Sequence, residues 1–134
     1  MSDRGVRDMG GLSQLSPTHR YWETCLTGEP HAAQRACGRV IGARVSRMHT
    51  ATAHYFRSIA LQSLGHEERA IRDLRRAYLT FGDLVFENEN NTIARYGRGL
   101  SLKRMGHDQE AEQEMARATA NSQGQASHFF EISG

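Results

Sequence analysis

The side chains able to do chemistry here are seven histidines, two cysteines and 15 acidic residues, and their spacings decide what they could do. The tightest gathering is Cys25-x5-His31-x5-Cys37, which matches none of the short paired spacings of zinc ligands. His66-Glu67-Glu68-Arg69-Ala70 begins like a zinc-protease helix but carries alanine where the second histidine belongs. His66 and His107 each follow a glycine, Gly65 and Gly106, in equivalent settings, so they serve a turn or a helix start. Glu110, Glu112 and Glu114 are expected on a solvated helix face. The chain has no Cys-x-x-Cys-His, no phosphate loop, no Gly-x-Ser-x-Gly and no dinucleotide fingerprint. Asn90-Asn91-Thr92 fits a glycosylation sequon, a three-residue match that chance supplies often. The expectation is a non-enzymatic protein with no catalytic residue, no metal and no cofactor.

The elements holding these residues are repeated. Leu64-Gly65-His66-Glu67-Glu68-Arg69-Ala70 and Met105-Gly106-His107-Asp108-Gln109-Glu110-Ala111 lie 41 residues apart. The likeness extends back to Arg57-Ser58-Ile59-Ala60-Leu61 and Arg98-Gly99-Leu100-Ser101-Leu102. It extends forward to Ala70, Leu74, Ala77 and Ala111, Met115, Ala118. Aligning on the glycines exposes a third, weaker copy 37 residues earlier, with Gly28 in the turn and Ala33, Cys37 and Val40 behind it. Antiparallel helices approach closely only where small residues sit at the crossing, which Ser58 or Gly99 and Ala70 or Ala111 supply. A repeated helical hairpin satisfies all three copies.

Read in order, residues 1–15 form a polar arm, disordered or loosely docked, and residues 16–125 a single all-α domain of about six helices. Its hairpins cover about 17–41, 47–80 and 91–120, followed by a tail over 121–134. Ser46 and Asn90 or Asn91 are candidate helix caps, and Gly42 and Gly65 are read as helix ends. On the helix from Glu67, the inward residues are Ala70, Ile71, Leu74, Ala77 and Tyr78, and Arg69, Arg72, Arg75 and Arg76 point outward. Residues 81–91 read either as an extension of that helix through Phe86 or as a loop.

Composition narrows the partners. Net charge is +2 and the basic residues, all arginine except Lys103, are interleaved with acids, so no basic block marks a nucleic-acid face. Hydrophobic residues make up 38% of the chain and mean hydropathy is −0.63, with no apolar run long enough for a membrane span. With no leader visible at the N-terminus, a cytoplasmic location is expected.

The order small residue, turn glycine, Ala, large apolar residue, Ala resembles the tetratricopeptide repeat (TPR) family. It is carried by Ser58, Gly65, Ala70, Leu74 and Ala77, and by Gly99, Gly106, Ala111, Met115 and Ala118. The resemblance covers roughly residues 17 to 125 and implies a right-handed α-solenoid of two and a half to three repeats. The spacings of 37 and 41 exceed the usual 34, so the turns between hairpins are enlarged. The first copy, with Trp22, Cys25, Cys37 and Ile41, is similar to a bacterial subgroup that is often exported. That likeness implies a Cys25–Cys37 disulfide, and with it a periplasmic or exported location if a leader has been removed. The residues alone leave open two reduced, buried cysteines.

The resemblance further implies a groove lined by the first helix of each hairpin. The positions carried over are Trp22 and Cys25, then Tyr55, Ile59 and Gln62, then Tyr96, Leu100, Lys103 and Arg104. Aromatic and apolar with a cationic end, it suits an apolar peptide with an acidic flank or a C-terminal carboxylate. The family's Lys/Asn clamp for chaperone tails is not matched by Tyr55 and Ile59. The last hairpin has no solvating helix after it, so Phe129, Phe130 and Ile132 of the tail either fold back or dock on another chain. The expected function is a protein or peptide adaptor. The alternative is a structural subunit of a homo-oligomer or larger complex, held through that end. A weaker third reading is nucleic-acid binding through the outward arginines.

Overall fold

The computed structural model describes residues 17–131, so the arm over residues 1–15 and Ile132 lie outside it. Six α-helices follow in sequence: α1 Pro17–Thr27, α2 Pro30–Ala43, α3 Arg47–Ser63, α4 Glu67–Glu87, α5 Thr92–Arg104 and α6 Asp108–Ser122. A 3-10 turn, Ala126–Phe130, ends the described chain. Each helix packs on the one before it, giving three stacked hairpins, α1/α2, α3/α4 and α5/α6. Contacts of α1 with α3 and of α3 with α5 bring the first helices of the hairpins onto one common face.

The duplicated Gly-His pair builds two copies of one helix stop. In the first, the Gly65 N–H donates to the Gln62 carbonyl at 3.0 Å and the His66 N–H to the Leu61 carbonyl at 2.8 Å. In the second, Gly106 donates to Lys103 at 3.0 Å and His107 to Leu102 at 2.9 Å. This double closure needs a left-handed residue, and Gly65 (φ 84°) and Gly106 (φ 91°) take it without a Cβ penalty. Gly28 holds its place for another reason. Its φ is not positive, and a Cβ there would stand 2.6 Å from the Thr24 carbonyl oxygen. The α1–α2 link is closed by Glu29, whose carboxylate accepts from the Ala32 and His31 N–H groups ahead of Pro30.

Gly42 does not end α2 as its composition suggested. The helix runs on to Ala43 and stops at Arg44, itself in the left-handed region at φ 53°. Ser46 caps α3, accepting from the His49 N–H at 3.0 Å and bonding the His49 ring at 2.8 Å. Asn91 caps α5, accepting from the Ala94 N–H at 3.0 Å. Residues 81–87 extend α4, and an exposed Arg47–Glu87 ion pair ties its far end to the start of α3.

The small residues meet as the spacing required. A Cβ on Gly99 would stand 2.4 Å from Met115 Cγ and 3.1 Å from the Ala111 carbonyl oxygen, so α5 and α6 touch backbone to side chain. Met115 is half-buried there, and the outward residues of α6, from Glu110 to Arg117, are mostly polar. On α4 the inward set needs correction. Ile71 is 50% exposed, while Asp73, read as part of neither face, is buried. The outer surface of α4 also shows Leu79 and Phe86, the latter 90% exposed.

Cys25 and Cys37 are joined in a disulfide across the first hairpin, both fully buried beside Ala36, Val40 and Ala53. Closing a loop of 12 residues stabilises by about 3 kcal/mol in the chain-entropy account. Urea unfolding with and without a strong reductant is expected to show a loss of this size, and an unchanged midpoint would contradict it.

Candidate functional site

The 41-residue repeat carries charged side chains as faithfully as it carries glycines. In the second hairpin, Asp73 on α4 takes a 2.8 Å bond from the His54 ring and bonds at 2.7 and 2.9 Å from Arg57, both on α3. In the third, Glu114 on α6 takes a 3.1 Å bond from Arg95 and a short bond from Arg98, both on α5. Each member sits 41 positions after its counterpart: 54 and 95, 57 and 98, 73 and 114. Glu114 therefore does not belong to a solvated face; it is the carboxylate between two arginines, with its side chain 13% exposed. In the first hairpin the corresponding acid position is Ala36, and the adjacent Cys37 joins the disulfide instead. Burial alone would raise the Asp73 carboxyl, but the bonds from His54 and Arg57 outweigh it and hold the group below its ordinary value.

These clusters tie α3 to α4 and α5 to α6, and α3 and α5 share one face with α1. Half of that face is aromatic. Phe81 of α4 is fully buried against Gly97, where any Cβ would stand 2.6 Å from the ring. Over it lies Phe130 of the tail, 5.9 Å from Phe81 and stacked on Tyr96 at 5.7 Å. Phe129 continues the row, with Trp22 of α1 and His49 of α3 each 5.6 Å away and those two rings 4.9 Å apart. Burial among these rings lowers the His49 pKa below 6.5. The tail thus folds back onto its own chain, and it does so across the α1–α3–α5 face rather than over the outside of α6.

The other half of the face, at the C-terminal ends of α3 and α5, is not covered by the tail's rings. Ile59 and Leu100 are half-buried there, and Gln62, Lys103 and Arg104 are exposed. Arg104 donates to the Gln62 side-chain oxygen, linking α5 to α3. Lys103 stands 3.8 Å from Glu112, an exposed pair. Tyr55 is buried between the two halves. Burial raises its hydroxyl pKa, with the Arg104 charge opposing and Tyr96 adding.

The structure thus gathers Tyr55, Ile59, Gln62, Tyr96, Leu100 and Arg104 around one stretch of the face. It places Trp22 at the other end against Phe129, and Cys25 in the disulfide core. Sequence reasoning missed His49, Phe81 and the two charge clusters. The clusters had a signal, since an acid, an arginine and a second basic side chain recur together at the repeat distance. A hollow of about 840 Å³ lies between Tyr78 of α4 and the α5/α6 hairpin, but its Arg98 and Glu114 are already bonded to each other. Among the described residues no three of His, Cys, Asp and Glu gather where they could hold a metal ion. No helix among them is long and apolar enough to cross a membrane. Comparison with family models, with curated proteins and with solved structures finds no match.

Proposed function

We propose that this protein is a non-enzymatic interaction module of the tetratricopeptide repeat type, binding a protein segment on the α1–α3–α5 face. The observation that carries this reading is the open half of that face. It sets half-buried Ile59 and Leu100 beside the exposed cation Arg104, with Lys103 next to it in sequence and turned to Glu112 of α6. Such a surface gives an apolar side chain a partly dehydrated floor and gives a nearby carboxylate a bidentate partner. The duplicated Schellman stops and the crossing at Gly99 and Ala111 support the family reading. Leu100→Asp combined with Arg104→Glu should abolish capture of a partner from the native organism and leave helical content unchanged. Retention of the partner by that variant would remove the reading.

A second reading, an accessory subunit of a larger assembly, is favoured by one separate observation. Leu79 and Phe86 stand exposed on the outside of α4, flanked by Arg72, Arg75 and Arg76. Exposed large apolar side chains grouped in this way mark contact surfaces. Leu79→Ser with Phe86→Ser would release such an assembly without disturbing the α1–α3–α5 face.

A further inference from the structure

We infer that the aromatic half of the α1–α3–α5 face is itself a receptor site for a segment that presents two adjacent aromatic residues from a single turn, with the chain's own Phe129–Phe130 as its resident competitor. This rests on the reading of the face as a binding surface and names the chemistry of what it binds.

The walls of the seat come from elements other than the tail. Phe81 is fixed by its fit against Gly97, Tyr96 by its place on α5, and His49 by its bond to the Ser46 cap. Removing the two tail rings would leave a row of Trp22, His49, Phe81 and Tyr96 facing solvent. The tail is held by apolar burial, through its two rings and the fully buried Ala126. Among the described residues its hydrogen bonds run to itself or back to α6, as from the Ala126 N–H to Ser122 and from Gly124 to Thr119. None joins residues 125–131 to α1, α3, α4 or α5. It enters through Gln123 (φ 56°), Gly124 (φ 87°) and Gln125, a three-residue link outside any helix. Lifting the tail therefore breaks no helix and no directional bond to the face.

The open half sets the rest of the ligand. Tyr96 and Arg104 are eight residues apart on α5, about 12 Å at 1.5 Å per residue. An extended chain covers that in about four residues. The fitting partner is thus an aromatic pair with an acidic residue about four positions away, one ring on Trp22 and His49, the other on Tyr96 and Phe81, and the carboxylate on Arg104.

Two fluorescent peptides test this on the full chain. One spans residues 125–134, and the other carries Phe-Phe with a glutamate four positions beyond. The variant Phe129→Ser with Phe130→Ser should bind both at least tenfold tighter than the wild-type protein does, and neither peptide should bind once its own Phe-Phe is changed to Ser-Ser. Arg104→Glu in that variant should weaken the second peptide more than the first. Equal binding by variant and wild type, or binding that survives loss of the peptide's aromatic pair, overturns the inference. If circular dichroism shows that the variant has lost helicity, the wild-type protein decides by hydrogen exchange. Saturating peptide should speed exchange at residues 126–131 and leave α3 and α5 protected, and an unchanged tail overturns the inference. A stable dimer that exchanges tails between copies would assign the seat to a second copy, also overturning it. A partner that is captured through Leu100 and Arg104 while both peptides fail would leave the interaction reading standing and end this one.

Discussion

Glu114→Ala is expected to destabilise the fold by about 4 kcal/mol, and Asp73→Ala by about 3 kcal/mol. Both remove the carboxylate from between two basic groups, but what they leave behind differs. Glu114 neutralises Arg95 and Arg98, with side chains 9% and 26% exposed, and a guanidinium cannot shed its charge. Arg95 also carries a buried Nε without a hydrogen-bond partner, so it has little with which to replace the lost bond. Asp73 faces Arg57, which is 25% exposed and can reach water, and His54, an imidazole in place of the nearly buried second guanidinium. Urea unfolding at neutral pH should return that order, with the exposed Glu110→Ala within about 0.5 kcal/mol of the parent. Equal small losses for both would mean the clusters are incidental. The Asp73 carboxyl, held below 3.8 in the folded state, adds a pH signature. Its contribution is complete above that value and is lost as pH falls through the lower folded one. Asp73→Asn should accordingly flatten that acid limb of the stability curve.

Phe81→Ala is expected to cost about 4 kcal/mol. The ring is fully buried at the meeting of α4, α5 and the tail, with Gly97 leaving no side chain to move into the space. Phe130 loses the ring beneath it, so the loss should come with freer exchange of the tail amides. Phe86→Ala on the same helix is the natural control, because Phe86 is 90% exposed and its removal should change stability little. A loss below about 1 kcal/mol for Phe81→Ala would show that the face is not built on this ring.

Much of the scaffold was legible because its demands are local. A left-handed stop needs glycine, a close crossing needs Gly99 and Ala111, and a cap needs Ser46 or Asn91, so each left a mark at a fixed spacing. The pairing of Cys25 with Cys37 came from resemblance, and the fold realises it. What escaped were contacts between distant segments. Nothing local distinguishes Phe81 from an ordinary core residue, and nothing near His49 announces Phe129, 80 positions later. Asp73 and Glu114 lie on arginine-rich or acidic helix faces whose composition reads as solvated, and only the repeat register exposes their partners. Gly42 misled because Arg44 takes the left-handed position two residues later.

Hydrogen exchange on the protein alone and in complex with the partner captured from the native organism tests the central claim most directly. Binding on the α1–α3–α5 face predicts new protection over residues 55–63 and 96–104, with the outer surfaces of α4 and α6 unchanged. Protection confined to α4 around Leu79 and Phe86, with residues 96–104 exchanging as before, would contradict it.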